Sequence, residues 1–180
     1  MFKIIKILSV SVCLLTFFSN TALAAGRLKV SEEGELNVNA DQAWSVIGDF
    51  GGLTKFMGGG DMKLELKGTS TDAGSTRTLT MGNGFSITEA LVDYDAENRS
   101  YSYIAINGGG SVKNYLSTLH VEPTGKDTCK IVWSATFDPR EGSDDAAAIQ
   151  GMSNIYKGAI GGMSHEGLED DGCRPRSPRG

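Results

Sequence analysis

From residue 28 the apolar positions recur every second residue. Leu28, Val30, Leu36 and Val38 alternate with polar neighbours around the acidic Glu32-Glu33-Gly34. That is the period of a half-buried strand over 28–39, with a bulge expected at Gly34. The step then lengthens. Ala43, Trp44, Ile47 and Phe50 fall at helical spacing behind Asn39 or Asp41, either of which suits a helix cap. Gly51-Gly52 reads as the helix stop, and 53–57 as a short second helix or turn before Gly58-Gly59-Gly60.

Alternation returns over 62–66, 76–81, 85–93, 99–107, 112–122 and 129–137, six further strands. Asn83-Gly84 predicts a tight hairpin between the second and third of these. Gly108-Gly109-Gly110 and the segment 123–127 make later connections. After Asp144 the period becomes helical and stays so. Ala148, Ile149, Met152, Ile155, Tyr156, Ala159, Ile160 and Met163 recur at three- and four-residue steps, which predicts an amphipathic helix of about five turns. Asp144 and Asp145 suit its positive end. Gly158, Gly161 and Gly162 weaken it by up to about 1 kcal/mol each, and a close approach to a sheet would account for them.

A sheet with one apolar face needs a cover, and the last helix is long enough to provide it. The order predicts an α+β fold: a curved antiparallel sheet of about seven strands around a long C-terminal helix, two short helices after the first strand, and space between sheet and helix. Antiparallel connectivity puts the loops 82–84, 108–111 and 138–142 at one end, near the start of the long helix, as a glycine-rich gate.

Strand parity separates inside from outside. In 129–137 the inward set is Cys129, Ile131, Trp133, Ala135 and Phe137. In 85–91 it is Phe85, Ile87, Glu89 and Leu91. In 112–122 it is Tyr115, Ser117, Leu119 and Val121, with His120 outside as a surface residue. In 99–107 the two faces, Tyr101-Tyr103-Ala105 and Ile104-Ile106, are not told apart by parity. Glu89 is the informative position. A carboxylate on an apolar face must be paired, hydrogen-bonded or protonated. Tyr103, Tyr115 and Ser117 could bond it, and Arg77 on the neighbouring strand could pair with it. The group is either a ligand anchor or a polar network that holds the sheet. Trp44 and Trp133 suit a plain core as well as a ligand platform.

Composition narrows the class. A chain of 180 residues is one domain, and 39% apolar residues suffice for a core. A net charge of −5 argues against nucleic acid and against an electrostatic anchor on anionic lipid. The first 24 residues read as a signal peptide: Lys3 and Lys6, an apolar run over 7–18, then Ala22-Leu23-Ala24. The run is short of the ~20 residues that a spanning helix needs. Val12 before Cys13 speaks against a lipid anchor. The expected product begins at Ala25, is exported to the periplasm or secreted, keeps no integral membrane span, folds over 25–166 and ends in a polar, disordered tail over 167–180. Cys129 and Cys173 could form one disulfide, or stay a buried thiol and a tail thiol. Neither pairs closely with His120 or His165, so no metal site is expected. No G-x-S-x-G, H-E-x-x-H, P-loop or dinucleotide fingerprint occurs, and no cofactor is expected.

Residues 39–50 (Asn-Ala-Asp-Gln-Ala-Trp-Ser-Val-Ile-Gly-Asp-Phe) resemble the first helix of the START-like, birch-pollen-allergen-like superfamily, SRPBCC. Gly74-Ser-Thr-Arg77, Ile87-Thr-Glu89-Ala-Leu91 with Asp93, Tyr101-Ser-Tyr103, Asn114-Tyr115 and Val132-Trp133 follow in the order of its polyketide-cyclase/dehydrase-like branch. The resemblance covers roughly 28–163 and implies the helix-grip fold, with Tyr103 facing in. In the related plant hormone receptors the positions matching Glu89, Tyr115 and Ser117 line the ligand pocket. That implies Glu89, Tyr115 and Ser117 as pocket groups here; with Arg77 and Tyr103, which could reach Glu89, and the inward-facing Trp133, they make up the ligand-binding candidates. The family includes lipid and hormone binders, polyketide cyclases and periplasmic accessory proteins. Three functions follow as expectations: a binder of a small hydrophobic or amphipathic molecule, an accessory protein that docks on a periplasmic partner, and a cyclase- or dehydratase-like enzyme with Glu89 and Tyr103 as acid and base.

Overall fold

A computed structural model describes residues 26–57, 61–108, 110 and 112–163. The signal peptide, the start at Ala25, Gly58-Gly59-Gly60 and the tail with Cys173 lie outside the described residues, so the disulfide alternative does too.

Strand β1 (Leu28–Leu36) leads into helix α1 (Ala40–Ile47) and a 3-10 turn (Phe50–Lys55). Six strands follow: β2 (Lys63–Lys67), β3 (Thr76–Thr80), β4 (Ser86–Asp95), β5 (Ser100–Asn107), β6 (Val112–Pro123) and β7 (Cys129–Pro139). Helix α2 (Asp145–Gly162) closes the fold. The sheet order is β1-β7-β6-β5-β4-β3-β2, and every pair is antiparallel. β2 to β7 form a meander. α1 and the 3-10 turn carry the chain from one edge strand, β1, to the other, β2. Among the described residues no helix is long and apolar enough to cross a membrane.

Caps set the helix limits. Asn39 caps α1, its Oδ1 accepting from the Gln42 N–H at 2.9 Å. Asp144 caps α2, accepting from the Ala147 N–H at 2.9 Å. The stop assigned to Gly51-Gly52 is corrected: α1 ends at Ile47, and both glycines lie inside the 3-10 turn. Asp49 caps that turn through the Gly51 N–H at 3.0 Å. Phe50 therefore belongs to the turn, where its ring is fully buried.

Two expectations about glycine are also corrected. β1 pairs with β7 without a register break, Gly34 opposite Ile131, so there is no bulge there. A Cβ on Gly34 would lie 2.3 Å from Cγ2 of Ile160, so Gly34 is where α2 crosses the sheet. On Gly158 and Gly161 a Cβ would meet nothing within 4 Å. The room for close packing is on the strand, not on the helix. Around this crossing Ser153 donates to Glu32 at 2.6 Å, and Lys157 pairs with Glu32 at 3.5 Å. Arg27 bonds both Asp145 carboxylate oxygens, at 2.5 and 2.6 Å, and its N–H donates to Asp138 at 2.9 Å.

Three bulges re-aim side chains. The register slips between Leu91 and Asp93, with Val92 extra, so Tyr94 joins Glu89 and Leu91 on the inner face. It slips between Thr88 and Glu89 with Ile106 extra on β5, and Ile106 is 54% exposed. It slips between Lys113 and Leu116, where Asn114 sits at φ 51 and donates to Asp138 at 2.8 Å. Val112 and Tyr115 are thereby both buried although their parity differs.

Candidate functional site: a cavity with a buried ion pair

Between the inner face of β3–β7, the 3-10 turn and α2 lies a cavity of about 220 Å³. Its walls are mostly aliphatic: Leu53 and Met57 from the turn, Leu79, Ile87, Ala105 and Val112 from the sheet, Met152 and Ile155 from α2. Aromatic rings of Phe85, Tyr103, Tyr115, Trp133 and Tyr156 complete them, and Arg77 and Glu89 supply the charge. Among the described residues no cluster of His, Cys, Asp and Glu could hold a metal ion.

Arg77 and Glu89 stand directly opposite each other on β3 and β4, both on the inner face. Arg77 Nε donates to Glu89 Oε2 at 2.6 Å, and Nη1 donates to the Phe50 carbonyl at 3.0 Å. The guanidinium carbon lies 4.3 Å from the Phe50 ring centre and 4.6 Å from that of Tyr103. These contacts are favourable cation–π geometry in a desolvated place. Burial alone would depress the guanidinium; the Glu89 carboxylate, together with Tyr101 and Tyr103, outweighs it and holds Arg77 above its ordinary value. Nη2 and the Tyr101 hydroxyl are buried without hydrogen-bond partners.

Beside the pair is a network of hydroxyls. Tyr115 and Tyr156 share a hydrogen bond of 2.7 Å, and Tyr156 and Ser117 one of 3.0 Å. Trp133 Nε1 donates to Ser117 at 3.0 Å and to Tyr103 at 3.2 Å. The Tyr103 and Tyr115 hydroxyls lie 3.4 Å apart. The Trp133 ring stacks on Tyr156 at 4.7 Å. Burial pushes the phenols of Tyr103, Tyr115 and Tyr156 up, and nearby Glu89 adds to it. They are neutral phenols, able to donate or accept but not to act as phenolate bases near neutral pH.

Of the six predicted site residues, Arg77, Glu89, Tyr103, Tyr115 and Trp133 line the cavity. Ser117 faces inward but is fully buried and is not part of the wall; it ties Trp133 and Tyr156 to the Ser134 carbonyl. Trp44 lies elsewhere, against Tyr94 and Tyr101. His120 is on the outer face, 3.3 Å from Glu122. Phe85, expected inside, is 40% exposed at the rim, because it precedes β4 and the pleat does not hold it. Tyr156 is not among the six, although a hydroxyl in an otherwise aliphatic helical stripe is a signal of its own. The Phe50 carbonyl has no sequence signal.

The mouth lies at one end of the sheet. Thr80 pairs with Ser86, Thr88 with Asn107, and Val112 with Pro139, so the described parts of the three gate loops share that end with the start of α2. A Cβ on Gly110 would stand 3.6 Å from the tip of Phe85, so two of those loops meet at the rim.

No curated protein matches the sequence. Among solved structures, the chain is similar to the protein XoxI from Bacillus cereus, at 27% identity and a TM-score of 0.70, over 78% of this chain and 96% of that one. It is similar to a Bacillus thuringiensis protein at 28% identity and a TM-score of 0.68, over 77% and 97%. It also resembles norcoclaurine synthase from Thalictrum flavum, solved with dopamine and hydroxybenzaldehyde, at 26% identity and a TM-score of 0.59, over 74% and 83%. Residues 27–165 match the model of the family described as polyketide cyclase / dehydrase and lipid transport. With that match across most of its length and the helix-grip fold around an apolar cavity, the chain belongs to the polyketide cyclase/dehydrase and lipid-transport family.

Proposed function

We propose that the chain is an exported binding protein that holds one small hydrophobic or amphipathic molecule between its sheet and α2. The observation that carries this reading is the cavity: an apolar chamber closed by aromatic rings, with a few polar groups converging on one wall. That is the usual chemistry of a small-molecule site. At about 220 Å³ it lies below the ~300 Å³ of drug-sized sites, which favours a compact ligand. The family description includes lipid transport, and the Thalictrum synthase holds two small aromatic molecules in the same fold. Binding is favoured over acid–base catalysis because Glu89, the candidate base, is tied to Arg77. Export rests on the basic, apolar and small-residue pattern of the first 24 residues.

Native mass spectrometry of protein recovered from its source tests both parts. The expected mass is that of a chain beginning at Ala25 with a small apolar molecule attached. Ala105→Phe, which puts a ring into the cavity, should lose that molecule and keep the fold. A retained Met1 would overturn export. An empty wild-type protein, or a ligand still bound by Ala105→Phe, would overturn the cavity reading.

A further inference from the structure

The two charges in the cavity wall are not equally available. The Arg77 side chain has 0% exposure and Glu89 8%. Arg77 is covered by the rings of Phe50 and Tyr103, and two of its nitrogens are engaged by Glu89 and the Phe50 carbonyl. Its remaining nitrogen, Nη2, is buried as well. Glu89 spends Oε2 on Arg77 and keeps 8% of its side chain exposed. The residue is 94% buried by its exposure of 6%, and it forms part of the cavity wall. A carboxylate oxygen that reaches a cavity is an acceptor for whatever enters it.

Building on the cavity reading, we infer that Glu89 Oε1 selects the ligand: the site takes a compact apolar molecule that presents a hydrogen-bond donor, a hydroxyl or an amine, and rejects one that presents a carboxylate. The arriving group meets an acceptor. A carboxylate there faces Glu89 at close range with Arg77 sealed behind it, and like charges in a desolvated site repel strongly. An alcohol donates to Oε1 without bringing a charge into the cavity. An ammonium does so with charge, its attraction to Glu89 set against its own desolvation. The neutral hydroxyls of Tyr103 and Tyr115 stand in the same wall to receive or supply a second bond.

Three probes of matched size separate the possibilities: 2-phenylethanol, 2-phenylethylamine and 3-phenylpropionate at neutral pH. Binding is read from amide and indole shifts of isotope-labelled protein, where the Trp133 indole N–H reports on the cavity. The alcohol or the amine should bind, and the carboxylate about tenfold more weakly or not at all. Glu89→Gln should shrink that gap to about threefold or less, since the amide brings no charge. A carboxylate that binds as tightly as both other probes to the wild-type chain overturns the selection and leaves the cavity reading standing. No shift with any of the three overturns the cavity reading and the selection with it. The wild-type comparison stands on its own if Glu89→Gln fails to fold.

Discussion

Arg77 is held from four directions, by a carboxylate, a carbonyl and two aromatic faces. Such a charge is stable in place but dangerous to uncover. Breaking a buried pair by removing one partner leaves the other charge desolvated and alone. Glu89→Leu should therefore lower unfolding stability by about 3–5 kcal/mol, read as a fall in the urea midpoint. The double change Arg77→Met with Glu89→Leu should recover much of the loss, because neither charge remains. A double variant no better than the single one would mean that the pair is not what the core depends on. Parity located this pair in the sequence: Glu89 on an apolar face demands a cation, and Arg77 is in reach on the neighbouring strand. What parity cannot show is depth. Ser117 and Tyr115 share a face, yet Tyr115 lines the cavity and Ser117 does not, because the short serine leaves the space above it to Trp133 and Tyr156.

The joint between β1 and α2 turns on one missing methyl. Ile160 packs where a Cβ of residue 34 would stand, at 2.3 Å, so Gly34→Ala has to push a side chain and with it the helix. Overpacking of this kind costs about 1–3 kcal/mol. The expected outcome is a loss of that size in thermal or urea unfolding, with Ile160→Ala in the same chain offsetting part of it; a neutral Gly34→Ala would show that α2 does not rest closely on β1. The sequence pattern places every strand and both helices, because periods of two and of 3.6 survive without knowledge of neighbours. It misreads what depends on a partner element. Gly34 looks like a bulge residue because its contact, Ile160, lies at the other end of the chain. The true bulges at Val92, Ile106 and Asn114 carry no glycine and exist only as register slips between paired strands. Gly51-Gly52 looks like a helix stop because the fold of the next turn around Asp49 is not periodic.

At the scale of the whole molecule the aromatic side chains form one connected body. Trp44 meets Tyr94 at 5.5 Å, Tyr94 meets Tyr101 at 6.4 Å, Tyr101 meets Tyr103 at 6.0 Å and Tyr103 meets Tyr115 at 6.0 Å. Tyr115 then bonds Tyr156, which stacks on Trp133, so the body runs from α1 across the inner face of the sheet to α2. It contains all 5 tyrosines of the sequence. Desolvation is the leading cause that lifts each phenol above the ordinary value of 10.0. The sign follows from linkage. In the unfolded chain the phenols release protons near pH 10, while in the folded chain they hold them longer, so the folded state binds more protons above that pH. The stability is intact below the unfolded value and is lost as pH rises through the window above it. A phenolate absorbance titration of the folded protein should therefore show little ionisation near pH 10. It should then show a steep, concerted rise at higher pH that coincides with loss of the circular-dichroism signal. In urea the same chain should titrate in a single ordinary step, and the melting temperature should fall as pH rises past 10. A folded protein that ionised its tyrosines near pH 10 with its circular dichroism unchanged would show the aromatic body to be open to water. The cavity walls would then not be the dry surface that retention of a hydrophobic ligand requires.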